Sequence, residues 1–278
     1  MKSIVLLVAV LVIALGVYVM YSSHSDSEKP VAEVSSEEVA TTSPETNKLE
    51  DLGPSVTPIS HASVVLTWGG ATVYVDPIGD VNQYTDMLAP DLVLLTHTHS
   101  DHLSVKTLEG IISPDTRIVA PQTVYDELPE TLAAQTTVMN NGDELSLLGF
   151  TLQALPMYNL PESPDAFHVK GRGNGYLIQR DGYRVYVAGD TAGIPEMRTL
   201  ADIDMAFIPM NLPYTMTVEE AADAVLEFAP ANVIPYHYRG TDGLSDVAKF
   251  KELVNAGNPA IKVMLLDWYP DMEAATNE

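Results

Sequence analysis

Residues 96–102 read Thr-His-Thr-His-Ser-Asp-His, "THTHSDH", directly after the apolar run "DLVLL" at 91–95. Three of the chain's seven histidines and an aspartate fall within seven positions. Imidazole nitrogens and carboxylate oxygens are good ligands for zinc and similar divalent ions, and a chain without cysteine must build any metal site from them. His97 and His99, two residues apart at a strand end, can point the same way, while Asp101 and His102 lie one turn further on. Four potential ligands in six positions exceed the needs of one ion with an open water site, so more distant ligands would make a two-metal centre.

Outward from this stretch, the body alternates β and α signals. "SVVLTWGGATVYVDP" (63–77) reads as two strands joined at Gly69-Gly70, and "DLVLL" reads as a short strand buried on both faces. A helix is predicted over 104–112, a strand over 117–120 and a short helix over 122–128. The middle section reads as β structure: "TTVM", a turn at 140–143, "ELSLL" and "FTLQALPM", then a hairpin around Asp181-Gly182 in "GYLIQRDGYRVYVAGD". Beyond it come a strand at 205–210, a helix from Thr217 with Glu220 completing a capping box, a strand at 232–238, a helix near 245–256 and a strand at 261–266. Hairpins and β-α-β units in both halves suit an α/β fold with two mixed sheets covered by helices, a four-layer αββα sandwich, and equally a single mixed sheet. Periodicity alone does not choose between them.

Composition bounds the function. A chain of 278 residues with 46% apolar content can bury a sizeable core, and a single large domain over 55–278 is the simpler reading. A formal charge of −24, with only 14 Lys and Arg, excludes a general nucleic-acid binder and disfavours peripheral binding to anionic lipid. Residues 1–3 precede an uncharged apolar segment at 4–21, long enough for a bilayer core, and 22–54 is a Ser-, Glu-, Thr- and Pro-rich linker. Lys2 before the segment places residues 1–3 in the cytoplasm. The sequence therefore predicts a transmembrane signal anchor with the body in the periplasm or outside the cell, or else a protein secreted after signal cleavage. His24, in the linker, reads as a solvated residue.

The "HTHSDH" stretch resembles the His-x-His-x-Asp-His signature of the metallo-β-lactamase superfamily, and other family motifs follow in order. Asp76 in "YVDP", Asp190 in "VAGDT" and His237 in "PYHYRG" are similar to the family's early aspartate, metal-bridging aspartate and last histidine ligand. The resemblance covers about 56–268 and implies the αββα fold. It implies that His97, His99 and His168 bind one divalent ion, that Asp101, His102 and His237 bind a second, and that Asp190 binds both. Zinc is the first expectation for the two ions, with iron or manganese served by the same ligands. His168 is the only histidine between signature and bridging aspartate; the alternatives are a site lacking that ligand or one using Asn159.

In the family's chemistry, two ions sharing a water make hydroxide available to attack an ester, lactone, amide or phosphodiester, with Asp101 as proton acceptor. Asp76 is expected to orient a ligand histidine. His61, in "ISHASVV" at the start of the first strand, resembles a histidine of the branch holding lactonase-like and N-acyl-phospholipid phospholipase-D-like enzymes, and contacts substrate or supports the site. Tyr158, Asn159, Asn211, Tyr214, Tyr236, Tyr238 and Arg239 fall on loops beside the motifs and are candidate pocket residues. The absence of cysteine excludes the ligand used by classical zinc β-lactamases, so penicillin hydrolysis is not expected. A small-molecule or lipid substrate is implied, with a membrane-tethered phospholipid phosphodiesterase and a non-catalytic metal-binding module as the other readings. An amidohydrolase barrel shares a His-x-His strand end but needs more chain than the body offers.

Overall fold

The apolar runs around "THTHSDH" are buried on both faces, and their alternation decides the architecture. The computed structural model describes residues 52–270. In β2 (Ser63–Trp68), β3 (Ala71–Val75), β4 (Leu92–Leu94) and β5 (Arg117–Ala120), Val64, Leu66, Trp68, Val73, Val75, Leu92, Leu94 and Val119 enter one core. The residues between them, Val65, Tyr74, Val93, Ile118 and Ala120, enter a second. Successive side chains on a strand point to opposite faces, so a sheet with a core on each side reads as unbroken hydrophobicity.

These strands, with β1 (Ser55–Ser60) and β6 (Thr136–Val138), form a six-stranded sheet in the order β1-β2-β3-β4-β5-β6. It is antiparallel from β1 to β3 and parallel from β3 to β6. Helix α1 (Val105–Ile111), capped by the Ser104 side chain, and the short helices α2 (Gln122–Tyr125) and α3 (Glu130–Ala133) cover its outer face through Leu108, Val124 and Leu132.

The second sheet has seven strands in the order β15-β12-β11-β10-β9-β8-β7. Its members are β7 (Glu144–Leu147), β8 (Phe150–Pro156), β9 (Asn174–Arg180), β10 (Tyr183–Val187), β11 (Met205–Pro209), β12 (Asn232–Tyr236) and β15 (Lys262–Val263). Phe150, Leu152, Ala154, Ile178 and Val187 pack with the first sheet's inner face in one core. Helix α4 (Pro195–Arg198), helix α5 (Val218–Phe228) and helix α6 (Val247–Gly257) accompany the second sheet; α5 buries Ala221, Ala222, Val225 and Phe228 on one stripe. The layers are α, β, β, α, as the family resemblance implies and hydrophobic periodicity left open.

Three expectations need correction. His61 lies not in a strand but in the turn between β1 and β2, at φ +52°. The last strand is two residues long rather than six. The membrane anchor and signal segment are not supported: among the described residues no helix is long and apolar enough to cross a membrane. The longest have 11 residues, about 16 Å of rise against a hydrocarbon core of about 30 Å. Residues 4–21, on which that expectation and the placement of the body outside the cell rested, and 22–51 of the linker lie outside the described residues.

Candidate metal centre

The strand ends of both sheets converge on one cluster. Asp76 follows β3 and residues 96–102 follow β4; Asp190 follows β10, Asn211 follows β11 and His237 follows β12. A tight turn, with the His102 and Leu103 N–H groups both donating to the His99 carbonyl, returns His102 toward His97. Gly189 at φ +65° aims Asp190, and a Cβ there would lie 2.8 Å from Met157 Sδ. The Gly189 N–H donates to the Tyr236 hydroxyl at 2.9 Å.

His97, His99 and His168 bring three ring nitrogens together: His97 Nε2 and His168 Nε2 lie 3.0 and 3.2 Å from His99 Nδ1. Asp190 stands between this group and a second. Its Oδ2 is 3.4 Å from His168 Nε2 and 3.5 Å from His237 Nε2, and its Oδ1 is 3.4 Å from His102 Nε2. Asp101 Oδ2 completes the second group at 3.4 Å from His237 Nε2. Donors bound to one tetrahedral ion at about 2.0–2.1 Å are separated by about 3.3 Å, so these spacings fit a divalent cation. A further observation agrees: His102 Nε2 and Asp190 Oδ1 are buried and face each other without a hydrogen-bond partner. Donor sets within 4.8 Å are His97, His99 and His168; His97, His102 and Asp190; and His61, Asp101 and His237.

Behind the cluster, hydrogen bonds fix which ring nitrogen is bare. Asp76 is fully buried, and its carboxylate accepts from the Thr96 N–H at 2.7 Å, the Thr96 hydroxyl at 2.6 Å and His102 Nδ1 at 2.7 Å. Having given its one proton to Asp76, the Thr96 hydroxyl can only accept, and His97 Nδ1 donates to it at 3.0 Å. His168 Nδ1 donates to the Tyr214 carbonyl at 3.2 Å. In all three rings Nδ1 therefore carries a proton, and Nε2 is the nitrogen turned toward the cluster.

Electrostatics sorts the same groups. Burial holds His97 well below the usual imidazole range and His168 at about 4, so both rings are neutral at pH 7. Burial also disfavours charged His102 and His237, but Asp190, with Asp76 for one and Asp101 for the other, outweighs it and raises both. Burial pushes Asp190 and Asp101 upward, yet the neighbouring His237 and His102 hold both well below the carboxylate range.

The seven residues expected around the ions lie in one cluster, but the donor sets group His61 rather than His102 with Asp101 and His237, and His102 with His97 and Asp190; the Asp76 carboxylate lies behind His102. Asn159 is not at the cluster as a donor: its side chain accepts from the His168 N–H at 2.8 Å and donates to the Tyr214 carbonyl at 2.8 Å, clamping the His168 loop. Tyr236 is fully buried beneath the Asp190 turn, and Tyr238 is also buried, so neither lines a substrate pocket. Thr96 was missed, because a hydroxyl at a strand end carries no pattern of its own. Phe167 was missed as well, although a bulky aromatic in the polar stretch "SPDAFHVKG" was a usable signal. It is 55% exposed and makes an edge contact with Tyr214 at 5.0 Å, forming an apolar wall. The cluster opens into a cavity of about 490 Å³ whose lining includes His61, Asp101, Phe167, Asp190, Tyr214 and Arg239.

Residues 55–237 match the model of the beta-lactamase superfamily domain. A UPF0173 metal-dependent hydrolase of Thermococcus onnurineus is 30% identical over 205 residues, spanning 70% of this chain and 90% of its own. One of Pyrococcus abyssi is 30% identical over 217 residues, 74% of this chain and 94% of its own. Among solved structures, one described as a metal-dependent hydrolase from Parabacteroides distasonis has a TM-score of 0.68 at 37% identity, covering 76% of this chain and 92% of that one. Igni18, a metallo hydrolase from Ignicoccus hospitalis, has a TM-score of 0.65 at 25% identity, covering 77% and 95%.

Proposed function

This chain belongs to the β-lactamase superfamily and is a metal-dependent hydrolase, and from that premise we propose a dinuclear enzyme that cleaves an ester, lactone or phosphodiester. His97, His99 and His168 would hold one divalent ion, Asp101, His102 and His237 the other, and Asp190 both; zinc suits this nitrogen-rich set. Bound ions supply an acidified water and an electrophilic edge for the substrate oxygen. The observation that carries the reading is Asp190, whose carboxylate lies within 3.5 Å of ring nitrogens from both groups.

The protein's own part is orientation and proton handling. Asp76, Thr96 and the Tyr214 carbonyl keep the Nδ1 protons of His102, His97 and His168 away from the cluster. Asp101, its side chain 43% exposed at the cavity floor, is the group that can take a proton from water entering by the mouth and release it to solvent. The strand-end scaffold excludes water from the rear, where His102 and Asp76 are fully buried.

Elemental analysis of the purified protein tests the reading, with near two ions per chain expected and zero or one refuting it. Asp190→Ala should lower the content and abolish turnover. Assaying bis-p-nitrophenyl phosphate beside simple lactones separates phosphodiester from carboxyl-ester chemistry, and an ion-replete sample inert toward both would favour a non-catalytic metal-binding module.

A further inference from the structure

The mouth of the cavity carries one cation, and its placement names a substrate class. Among the described residues, Arg239 is the only lysine or arginine lining the 490 Å³ cavity, on the Asp101 side of the cluster, whereas Arg172 lines a smaller cavity of about 320 Å³ on the His97, His99 and His168 side. In a chain of net charge −24 the surrounding field repels anions, so an anionic group held away from the metal cluster needs a local cation of its own.

The guanidinium is held in position. Arg239 opens a small hairpin, β13 (Arg239–Gly240) paired with β14 (Gly243–Leu244), two residues beyond His237. The hairpin lies against the 211–215 loop: the Thr241 N–H donates to the Leu212 carbonyl at 2.9 Å, and a Cβ on Gly240 would come within 2.2 Å of that oxygen. Arg239 Nη2 donates to His61 Nε2 at 2.9 Å, and the guanidinium lies 5.7 Å from the Tyr269 ring centroid. His61 is in turn edge-on to His237, with ring centroids 5.7 Å apart. The charge is thus fixed beside the ligand cluster on the wall that His61 shares.

We infer that Arg239, positioned by His61, is the binding site for an anionic oxygen group, a carboxylate or a phosphate, carried by the substrate away from the scissile bond. The substrate is then a small anionic ester, lactone or phosphodiester, of a size that the cavity admits. An arginine suits this role because its planar fork orients an oxyanion as well as attracting it. The inference rests on the metal-centre reading for the position of the scissile bond, but not for the charge at Arg239.

The test is calorimetric binding to the ion-replete protein, comparing malonate, succinate and glutarate with the monocarboxylates of equal carbon number. At least one dicarboxylate should bind about tenfold more tightly than its partner, the size of one charge-assisted hydrogen bond. In Arg239→Gln that gap should close to within about twofold while the monocarboxylate affinity stays unchanged; Arg239→Lys should keep part of it. Phosphonoacetate binding more tightly than malonate, its dicarboxylate of equal spacing, assigns the site to phosphate, and the reverse to carboxylate. A wild-type protein without a gap, a gap that survives Arg239→Gln, or an equal loss for both acid types, as a purely structural staple to His61 would give, overturns the inference. Ion content is measured on the same samples: a gap with fewer than two ions keeps the Arg239 subsite and refutes the dinuclear reading, and two ions without a gap do the opposite.

Discussion

Replacing Asp76 by asparagine keeps the shape of the side chain and removes one acceptor from a buried network of three donors. The carboxylate now accepts from the Thr96 N–H, the Thr96 hydroxyl and His102 Nδ1 at 2.6–2.7 Å. An amide must turn its NH₂ toward one side. Toward the backbone N–H it opposes donor to donor; toward His102 it forces the ring to accept at Nδ1 and carry its proton on Nε2, the atom 3.4 Å from Asp190 Oδ1. The first arrangement leaves buried donors unpaired, and the second blocks the lone pair a metal would use. One lost charged hydrogen bond and one unpaired buried donor together cost about 3 kcal/mol, which at about 2–4 °C per kcal/mol lowers the melting temperature of the metal-free protein by about 6–12 °C. Losing the partner that orients a ligand histidine should weaken metal binding by about 10–100-fold. Thermal unfolding of the stripped protein and chelator competition on the loaded one measure the two effects separately. Wild-type affinity together with wild-type stability in Asp76→Asn would refute the claim that this carboxylate sets the His102 tautomer.

Other outcomes follow from the same geometry. His168→Ala should reduce the bound ions from two toward one, whereas Asn159→Ala, which only loosens the His168 loop, should retain two with weaker affinity, both read by elemental analysis after dialysis. Phe167→Ala should raise KM for substrates with an apolar substituent and leave ion content unchanged; with the side chain 55% exposed, its effect on stability should stay within about 0.5 kcal/mol. Thr217→Ala removes the capping box at α5, in which Thr217 and Glu220 exchange side-chain and backbone hydrogen bonds, and should cost about 1 kcal/mol in denaturant unfolding with no change in metal content. Chelation should destabilise the protein: an ion at 100 times its Kd contributes about 2.7 kcal/mol per site, so stripping should lower the melting temperature by about 5–10 °C per ion.

The fold was legible from the sequence only through the site. Strands β2 to β5 are apolar on both faces because each face meets a core, and such a run does not say whether the second cover is a sheet or a helix. The family resemblance carried by "HTHSDH", Asp190 and His237 implied it, and the structure sets these residues at strand ends of two sheets. His61 was placed in a strand because "PISHASVV" contains no glycine or asparagine to mark its positive φ, which the adjoining β1–β2 pairing imposes. Tyr236 was read as a pocket residue from its place beside His237, but it ends β12 buried beneath the Asp190 turn, whereas His237 leaves the strand at φ +46°. Thr96 escaped notice because its role lies in the direction of one hydroxyl proton, which no spacing encodes.

Distribution of the ligands between the sheets has a consequence for assembly. His97, His99, Asp101 and His102 hang from β4 of the first sheet, whereas Asp190 and His237 hang from β10 and β12 of the second, and His168 lies in the loop between β8 and β9. Neither sheet alone holds a complete set, so high-affinity binding requires the inter-sheet core to be packed. That core is closed directly behind the cluster by the fully buried Tyr176 and Asn174: the tyrosine hydroxyl donates to the Leu95 carbonyl at 2.8 Å, and the Asn174 N–H donates to the Thr96 carbonyl at 2.9 Å. A substitution there touches no ligand, yet it releases the strand end that carries four of them. Tyr176→Phe should therefore weaken ion binding beyond the loss of about 1 kcal/mol expected for one hydrogen bond, because the freed Leu95–Thr96 segment also holds the proton relay from Asp76 to His97. If chelator competition finds ion affinity unchanged while unfolding shows only the lost hydrogen bond, the two sheets are docked independently of the metal centre and the coupling is refuted.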